Sequence, residues 1–397
     1  MFRPTPRQRL LAIAAGFSTG ITHSLAVDAT SLLVYSVGPL HVKPQLSLSE
    51  RYDDNIFYRA GNAVEDDFVT VVSPGVNFQL GRRDANYILF DYQFDQLFYL
   101  QHSGQNSGDH VFSLNSNLAW KRLTVEGADR VQFLSGILGG TDNLGRRVDR
   151  RTYYDNYTIG YALTEKTGIY VAGLFDAVDY EKGTPLYDSN TLRGTGGFAF
   201  QVTPKSRLFG EVYYGQAAID PNGAAVKGPH QEFLGGFLGA RGEFTSRLTG
   251  RVKAGYEVRE FSDRTPAPSA PVVEASLEQR FSDKTSLTLA YTRRNTVSVQ
   301  VARLSYTADS VSGQLTQVLS SDGKLVGTIG GSFENDDYEE IGGPVRHDVW
   351  YRASAAVNYS IQLWLKAGLI YEFESYHSNQ VIDYDVNRVS LRVSVGY

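Results

Sequence analysis

The sequence predicts an all-β protein that closes into a transmembrane antiparallel β-barrel, and three observations carry this prediction. Apolar and polar residues alternate over strand-length stretches from about residue 40 to the end, which is typical of strands with two unlike faces. Short polar turns alternate regularly with longer loops. No apolar run reaches the roughly 18 residues that a membrane-spanning helix needs.

The connections predict the number of strands. The short turns lie at 81–84, 121–122, 164–168, 203–206, 245–247, 282–285, 321–324 and 360–362. The long loops lie near 53–67, 101–109, 135–150, 181–190, 217–230, 260–271, 295–308, 335–347 and 375–384. This alternation predicts about 18 strands, with short periplasmic turns and long extracellular loops. Sixteen strands is the alternative if residues 295–310 pair differently.

The N-terminus predicts an export signal. Arg3, Arg7 and Arg9 precede the apolar run 10–17, and small residues suitable for cleavage follow. We therefore expect residues 1–29 to be a cleaved secretory signal peptide, 30–39 a periplasmic segment and 40–397 a single barrel. The expected location is the bacterial outer membrane, reached through the periplasm.

Composition excludes several classes of protein. The net charge of −5 argues against a nucleic-acid binder, and an exported chain without cysteine uses no disulfides. The 25 Tyr and 39 Gly suit strands and tight turns. We expect no cofactor, because the chain has no metal-spaced His/Cys cluster and no phosphate-binding glycine loop.

The second face of the strands is polar and charged, which predicts a water-filled bore. Among its expected residues are the cations Arg251 and Lys253 and the acids Asp91 and Asp95. A cationic ladder on one wall is predicted from Lys43, Arg352, Lys366, Arg388 and Arg392. Lys43, Lys366 and Arg392 are expected near the periplasmic end, Arg352 in mid-strand and Arg388 beside the first barrel strand. Such a ladder would guide anionic solutes, because a low-dielectric pore focuses fields. The alternative is that these cations are paired with acids across the bore.

The chain ends in "NRVSLRVSVGY", in which every second residue is apolar. Val389, Leu391, Val393 and Val395 are expected to face lipid, and the strand is expected to pair with the first strand and close the barrel. Val393, Val395 and Tyr397 resemble the C-terminal signal that the barrel-assembly machinery reads.

Catalytic motifs are weak, and the sequence predicts that the chain is not an enzyme. His102 and Ser103 are sequence neighbours, so on a strand they point to opposite faces and form a poor base–nucleophile pair. Acidic residues in the predicted outer loops, such as Asp336 and Asp337, are better explained as solvated carboxylates, which divalent cations could bridge to lipopolysaccharide.

The first hairpin resembles a known family. The segment Tyr52-Asp53-Asp54-Asn55-Ile56 and the run from Asp67 to Val72-Ser73-Pro74-Gly75 look like motifs of the type 2 β-barrel porins, which are associated with exopolysaccharide gene clusters. Physically, the Asp and Asn side chains can start a turn, and Pro74 marks a bulge or the upper limit of regular pairing. The resemblance implies an outer-membrane barrel serving export of an extracellular polysaccharide, and it brings no catalytic residues.

The function expected from these observations is a porin, a passive conduit linked to extracellular polysaccharide export and favouring anionic solutes. The alternative is a non-conducting structural or surface-interaction barrel. The expected partners are outer-membrane lipid and lipopolysaccharide, the assembly machinery, and an anionic polysaccharide or small solute.

Overall fold

The computed structural model describes residues 33–140, 145–221, 230–262, 269–298, 305–338, 345–380 and 383–396. The predicted signal peptide and Tyr397 lie outside these residues. One antiparallel sheet contains the described strands, which are a three-residue β1 and eighteen long strands, β2 to β19. Their bounds are Tyr35–Val37 (β1), Leu40–Asp53 (β2), Asp67–Gly81 (β3), Tyr87–Tyr99 (β4), Ser107–Trp120 (β5), Leu123–Ile137 (β6), Arg147–Ala162 (β7), Thr167–Tyr180 (β8), Tyr187–Thr203 (β9), Ser206–Pro221 (β10), Gln231–Glu243 (β11), Leu248–Phe261 (β12), Ala270–Ser282 (β13), Thr285–Val297 (β14), Ser305–Val318 (β15), Leu325–Tyr338 (β16), His347–Gln362 (β17), Leu365–Ser378 (β18) and Tyr384–Val395 (β19).

The sheet closes on itself. Each long strand pairs with its sequence neighbours, and β19 pairs with β2 from Arg388–Asp53 to Val395–Leu46. Closure leaves no unpaired strand edge along the membrane. The 18-strand prediction is confirmed, and the 16-strand alternative is wrong because β14 and β15 pair regularly from Thr285–Gln317 to Val297–Ser305.

The outer face of the barrel is apolar. Alternate residues on every long strand point outward, and many are large and exposed, such as Leu238, Ile329 and Val212. Exposed aromatics ring the outer surface beside the short turns: Trp120, Tyr161, Phe200, Phe244, Phe281 and Tyr359. An apolar band with an aromatic girdle is typical of a barrel seated in the outer membrane.

The buried clusters lie on the inner face. One consists of Tyr213, Ala217, Phe233, Phe237 and Val272 on β10, β11 and β13. The others lie toward the extracellular ends, around Val148, Tyr180 and Leu186 and around Tyr376, Tyr384 and Val386. Two short 3₁₀ turns, Gly61–Ala63 and Ser103–Gln105, lie in the first two long loops. No described helix is long and apolar enough to cross a membrane.

Candidate functional site: the charged wall of the bore

The predicted cationic ladder is divided between the two ends of the bore. Arg352 lies opposite Glu374, whereas Lys366 lies opposite Ser360, near the other end of β17. The eight residues between Lys366 and Glu374 on β18 correspond to roughly 26 Å along the strand. The five cations therefore do not form one row: Lys43, Lys366 and Arg392 lie in the periplasmic half, whereas Arg352 and Arg388 lie nearer the extracellular end.

The two extracellular members of the predicted ladder are paired with acids. Arg388 contacts Asp53 at 2.8 Å between Nε and Oδ2, and its Nη1 lies 3.8 Å from Oε2 of Glu374. Arg352 approaches the same Glu374 oxygen at 3.7 Å and lies 4.3 Å from the ring centroid of Trp350. At the extracellular end, therefore, the predicted ladder cations are paired with acids, which is the arrangement that the alternative interpretation described.

The three periplasmic members have no ion pair with any residue that the structure describes. Lys366 pairs in register with Ser394 on β19. Arg392 is the next inward-facing residue of β19 toward the extracellular side, and it pairs with Gly368 on β18 and Ser49 on β2. Lys43 lies opposite Asn77 near the start of β2. This smaller group remains a cationic patch beside the closing seam.

A second basic surface lies on β10, β11 and β12. Arg207, Arg241 and Arg251 occupy one row, because Arg207 pairs in register with Arg241 and Arg241 with Arg251. Glu126, on the inner face of β6, interacts electrostatically with all three arginines. Since β6 lies four strands or more from them around the wall, this interaction crosses the bore.

Above this row, inward aromatic rings form a column on β10 and β11. Register places Phe209 lowest, then Phe237, Tyr213 and Phe233, alternating between the two strands. Each ring lies against a glycine or beside another ring; Tyr213, for example, occupies the space where a Cβ on Gly235 would lie, and stacks on Phe237 at 5.4 Å. The rings are nearly buried, so they are part of the wall and not a stacking surface for solute.

Cations cover the faces of this column. The distances from the charged group to the ring centroid are 4.8 Å for Arg251 on Phe209, 3.9 Å for Lys253 on Phe237, 5.3 Å for Arg193 on Tyr213 and 4.7 Å for Arg259 on Phe233. Such contacts hold a cation in place without neutralising it. The prediction that Arg251 and Lys253 face the bore agrees with this geometry.

Acids on the same wall compensate only part of its charge. Glu211 accepts hydrogen bonds from Arg251 at 2.6 Å and Lys253 at 3.4 Å, and Lys253 also contacts Glu274 at 2.9 Å. Glu257 pairs with Arg259 at 2.5 Å. Arg193 and Arg241 have no ion pair with any described residue. A net positive wall remains.

The acids Asp91 and Asp95 lie on the inner face of β4, away from the basic wall. Asn77 donates a hydrogen bond to Asp91, and Gln93 donates to Asp95 at 2.8 Å. Together with Glu126 they make β4–β6 the acidic side of the bore, while β9–β12 form the basic side. Sequence reasoning identified the inward parity of Asp91 and Asp95, but it missed Glu126 and Arg207, whose importance depends on what lies across the bore.

The remaining candidates have structural surroundings. His102 contacts Asp67 and Glu65, each at 2.9 Å, so its ring nitrogens do not contact Ser103. Within the described ranges, no group of acidic or histidine side chains could hold a metal ion. Val393 and Val395 lie on the outward parity of β19, and their role as an insertion signal stays a prediction.

Comparisons with known proteins find several similar solved structures. Among solved structures, OpdO from Pseudomonas aeruginosa is 11% identical with a TM-score of 0.47, covering 91% of this chain and 98% of its own. OpdK from the same organism is 10% identical with a TM-score of 0.46, covering 90% and 99%. OccAB4 from Acinetobacter baumannii is 12% identical with a TM-score of 0.45, covering 90% and 98%. Among curated protein sequences, none matches.

A family model described as "Putative beta-barrel porin 2" matches residues 220–397, somewhat less than half of the chain. The match lies outside the first hairpin, where the sequence motifs showed the resemblance. It agrees with the prediction that the chain is not an enzyme, since the family is one of porins. The chain is therefore an outer-membrane β-barrel whose residues 220–397 match the family that its first hairpin resembles.

Proposed function

We propose that the protein is a passive outer-membrane conduit that favours anionic solutes. The observation that carries this proposal is the row of Arg207, Arg241 and Arg251 on adjacent strands, facing Glu126 across the bore. Like charges in a water-filled pore with low-dielectric walls act together, because the walls focus their field. An anion passing this level is attracted to one wall and repelled from the other.

The shape of the basic wall suits an extended anionic chain. The row of Arg207, Arg241 and Arg251 lies eight residues along β10 from the level of Arg193, which pairs in register with Gly215, so partly exposed cations span roughly 26 Å of the wall. A small anion would meet these cations one after another, whereas an acidic oligosaccharide could contact several at once. Together with the family resemblance, this supports the proposal that the cargo is an acidic extracellular polysaccharide or its fragments.

Selectivity can be measured in planar bilayers under a salt gradient. We expect a reversal potential that shows preference for chloride over potassium in the wild type, and a shift toward zero in the double variant Arg207→Gln/Arg241→Gln. Arg82→Gln is the control, because Arg82 is exposed in the first short turn and pairs with Asp84. Cation preference in the wild type, or an unchanged potential in the double variant, would contradict the proposal.

The polysaccharide part needs a separate measurement. Oligogalacturonate should interrupt the current at lower concentration than a neutral dextrin of the same length, and the double variant should lose this difference. Equal blockade by both sugars would leave a small-anion channel and reject the acidic polymer as cargo.

A second candidate function is a non-conducting surface barrel. It is favoured by the inward folding of the first long loop, in which Ile56 and Phe57 are buried and Tyr58 contacts Tyr384 at 5.0 Å between ring centroids. The same bilayer recording separates the two functions, because a barrel of this kind carries no current.

A further inference from the structure

A groove, here named the girdle groove, lies on the outer face of the barrel at the periplasmic ends of β5, β6 and β7. Its walls are Trp120, Leu123 and Tyr161, the β5–β6 turn residues Lys121 and Arg122 line its periplasmic end, and its volume is about 580 Å³. Trp120 pairs in register with Leu123, and Leu123 with Tyr161, so the three side chains lie side by side. All three are exposed on the outward face. The groove therefore opens toward the membrane at the level of the aromatic girdle.

The turn at the periplasmic end of the groove is cationic. Of the eight short turns, the one between β5 and β6 is the only one that has two basic residues and no acidic residue. Lys121 and Arg122 are exposed, and neither has an ion pair with a residue that the structure describes. By contrast, Arg82 of the first short turn pairs with Asp84 at 2.6 Å. Two cations that no described acid neutralises thus lie next to an apolar surface.

The backbone of this turn is strained at Lys121. This residue is the first of the two that join β5 to β6, and its φ is 41°. Two-residue hairpin turns with positive φ at this position favour glycine, because a side chain is costly there. Strain of this kind is concentrated at functional positions. The turn geometry alone would favour glycine, so the lysine is best explained by what its side chain does.

The turn is held in place from both sides. The side-chain amide of Asn86 acts as a strand partner for the end of β5: its Nδ2 donates to the carbonyl oxygen of Ala119 at 3.2 Å, and its Oδ1 accepts from the Ala119 N–H at 2.9 Å. The carbonyl oxygen of Arg122 accepts a hydrogen bond from the N–H of Ala162 at 2.8 Å. These bonds fix the turn relative to its neighbouring strands, so the groove is preformed.

We propose that the girdle groove binds one anionic phospholipid of the periplasmic leaflet. Its acyl chains would lie against Trp120, Leu123 and Tyr161, and its phosphate would contact Lys121 and Arg122. Basic residues at the membrane surface attract anionic headgroups, and amphipathic aromatic rings lie at the headgroup level. An acidic periplasmic protein would use the two cations but not the apolar groove beside them. The site lies outside the bore and does not depend on the conduit function.

Fluorescence quenching measures which lipid lies beside Trp120. In a Trp350→Phe/Trp364→Phe background, Trp120 is the one tryptophan left of three. In phosphatidylcholine vesicles, we expect brominated phosphatidylglycerol to quench it with a relative binding constant about fivefold higher than that of brominated phosphatidylcholine. No preference for the anionic lipid would overturn the proposal and leave an acidic periplasmic protein as the partner for these cations.

A double variant and a matched control test whether the turn is responsible. Lys121→Gln/Arg122→Gln should abolish the preference for phosphatidylglycerol. Lys284→Gln/Lys324→Gln should keep it, although it also removes two exposed cations from short turns, because these turns join β13 to β14 and β15 to β16, far around the barrel. A preference that persists in the first variant, or that both variants lose equally, would overturn the proposal.

Lys121→Gly is a second variant that removes one cation and relieves the strained backbone. Heat-modifiable migration on gels should show that it folds at least as well as the wild type, while its preference for phosphatidylglycerol falls about twofold. An unchanged preference in this folded variant would reject the two-cation site.

Inorganic phosphate distinguishes a lipid headgroup from free phosphate as the ligand. At an ionic strength matched with chloride, excess phosphate should leave most of the lipid preference, because the apolar groove also contributes to lipid binding. If phosphate removes the preference and chloride does not, the site binds phosphate from any source and the lipid assignment is overturned.

Discussion

At the scale of single residues, the closing seam depends on Arg388. This side chain is mostly buried. It contacts Asp53 of β2, Tyr58 of the first long loop and Glu374 of β18. Arg392 lies on the same strand and face, is exposed to the bore, and has no ion pair with a described residue. The two arginines look equivalent in sequence but have different surroundings.

We expect Arg388→Met to lower the free energy of unfolding by about 3 kcal/mol, because it leaves the buried Asp53 carboxylate without its partner. Arg392→Met is the matched control and should change stability little. Urea unfolding in lipid vesicles measures both. Equal destabilisation by the two substitutions would show that the seam does not depend on this ion pair.

His102 connects the second long loop to the first. Its hydrogen bond to Asp67, opposed by partial burial and aided by Glu65, raises the pKa of the His102 imidazole above its usual 6.5. Because the folded pKa is raised, the stabilisation is fully present below the unfolded value and is lost as the pH rises through the folded value.

The stability difference between wild type and His102→Gln should therefore shrink as the pH rises past the imidazole pKa, from a value on the order of 1 kcal/mol at pH 5. Unfolding titrations at several pH values measure it, and an NMR titration of the imidazole locates the pKa. A constant difference between pH 5 and 9 would contradict the role of the protonated ring.

At the scale of elements, glycine determines how closely β10, β11 and β12 approach. Their inward glycines lie beside aromatic rings or against the neighbouring backbone, which lets the rings lie flat along the wall under their cations. Gly255 is the tightest case, since a Cβ there would lie 1.7 Å from the carbonyl oxygen of Gly236. By contrast, a Cβ on Gly194 of β9 would meet nothing within 4 Å.

Gly255→Ala should destabilise the barrel by about 1–3 kcal/mol, because the methyl must push β12 away from β11. Gly194→Ala, on an outward position, should be close to neutral. Thermal unfolding monitored by the loss of heat-modifiable migration compares them. Equal midpoints for the two variants would mean that the strand spacing accommodates the methyl group.

Strand-scale features were partly predictable. The alternation of apolar and polar residues correctly predicted which residues of β19 face outward and that Asp91, Arg251 and Lys253 face inward, because alternation is a local property of a strand. Pro74 shows where local reasoning reached its limit. It interrupts pairing with β4 between Val72–Gln96 and Gly75–Gln93 without changing the register, so the expected bulge does not occur. Pairing continues above Pro74 to Val69–Tyr99, so Pro74 is not the upper limit of regular pairing either.

At the scale of the whole molecule, closure brings separate charges together. Acids on β4 and β6 and cations on β9–β12 occupy different sides of one bore. Strands β2 and β19 meet where Arg388 pairs with Asp53. The first long loop folds inward at the extracellular end, where Tyr58 contacts Tyr384 of β19.

The sequence by itself determined the class of the fold, the number of strands, the approximate position of seven short turns and which face of a strand meets water. These follow from alternation and turn chemistry, which are local. The last turn is an exception: residues 360–362, predicted as a turn, end β17, and the turn lies at 363–364. Only the tertiary structure decided which cations share a height, which acids oppose them and where the first long loop packs against β19. The physical reason is that the alternation of residues along a strand determines which face of the sheet a side chain lies on. Strand register and barrel closure determine its height in the bore and its neighbours.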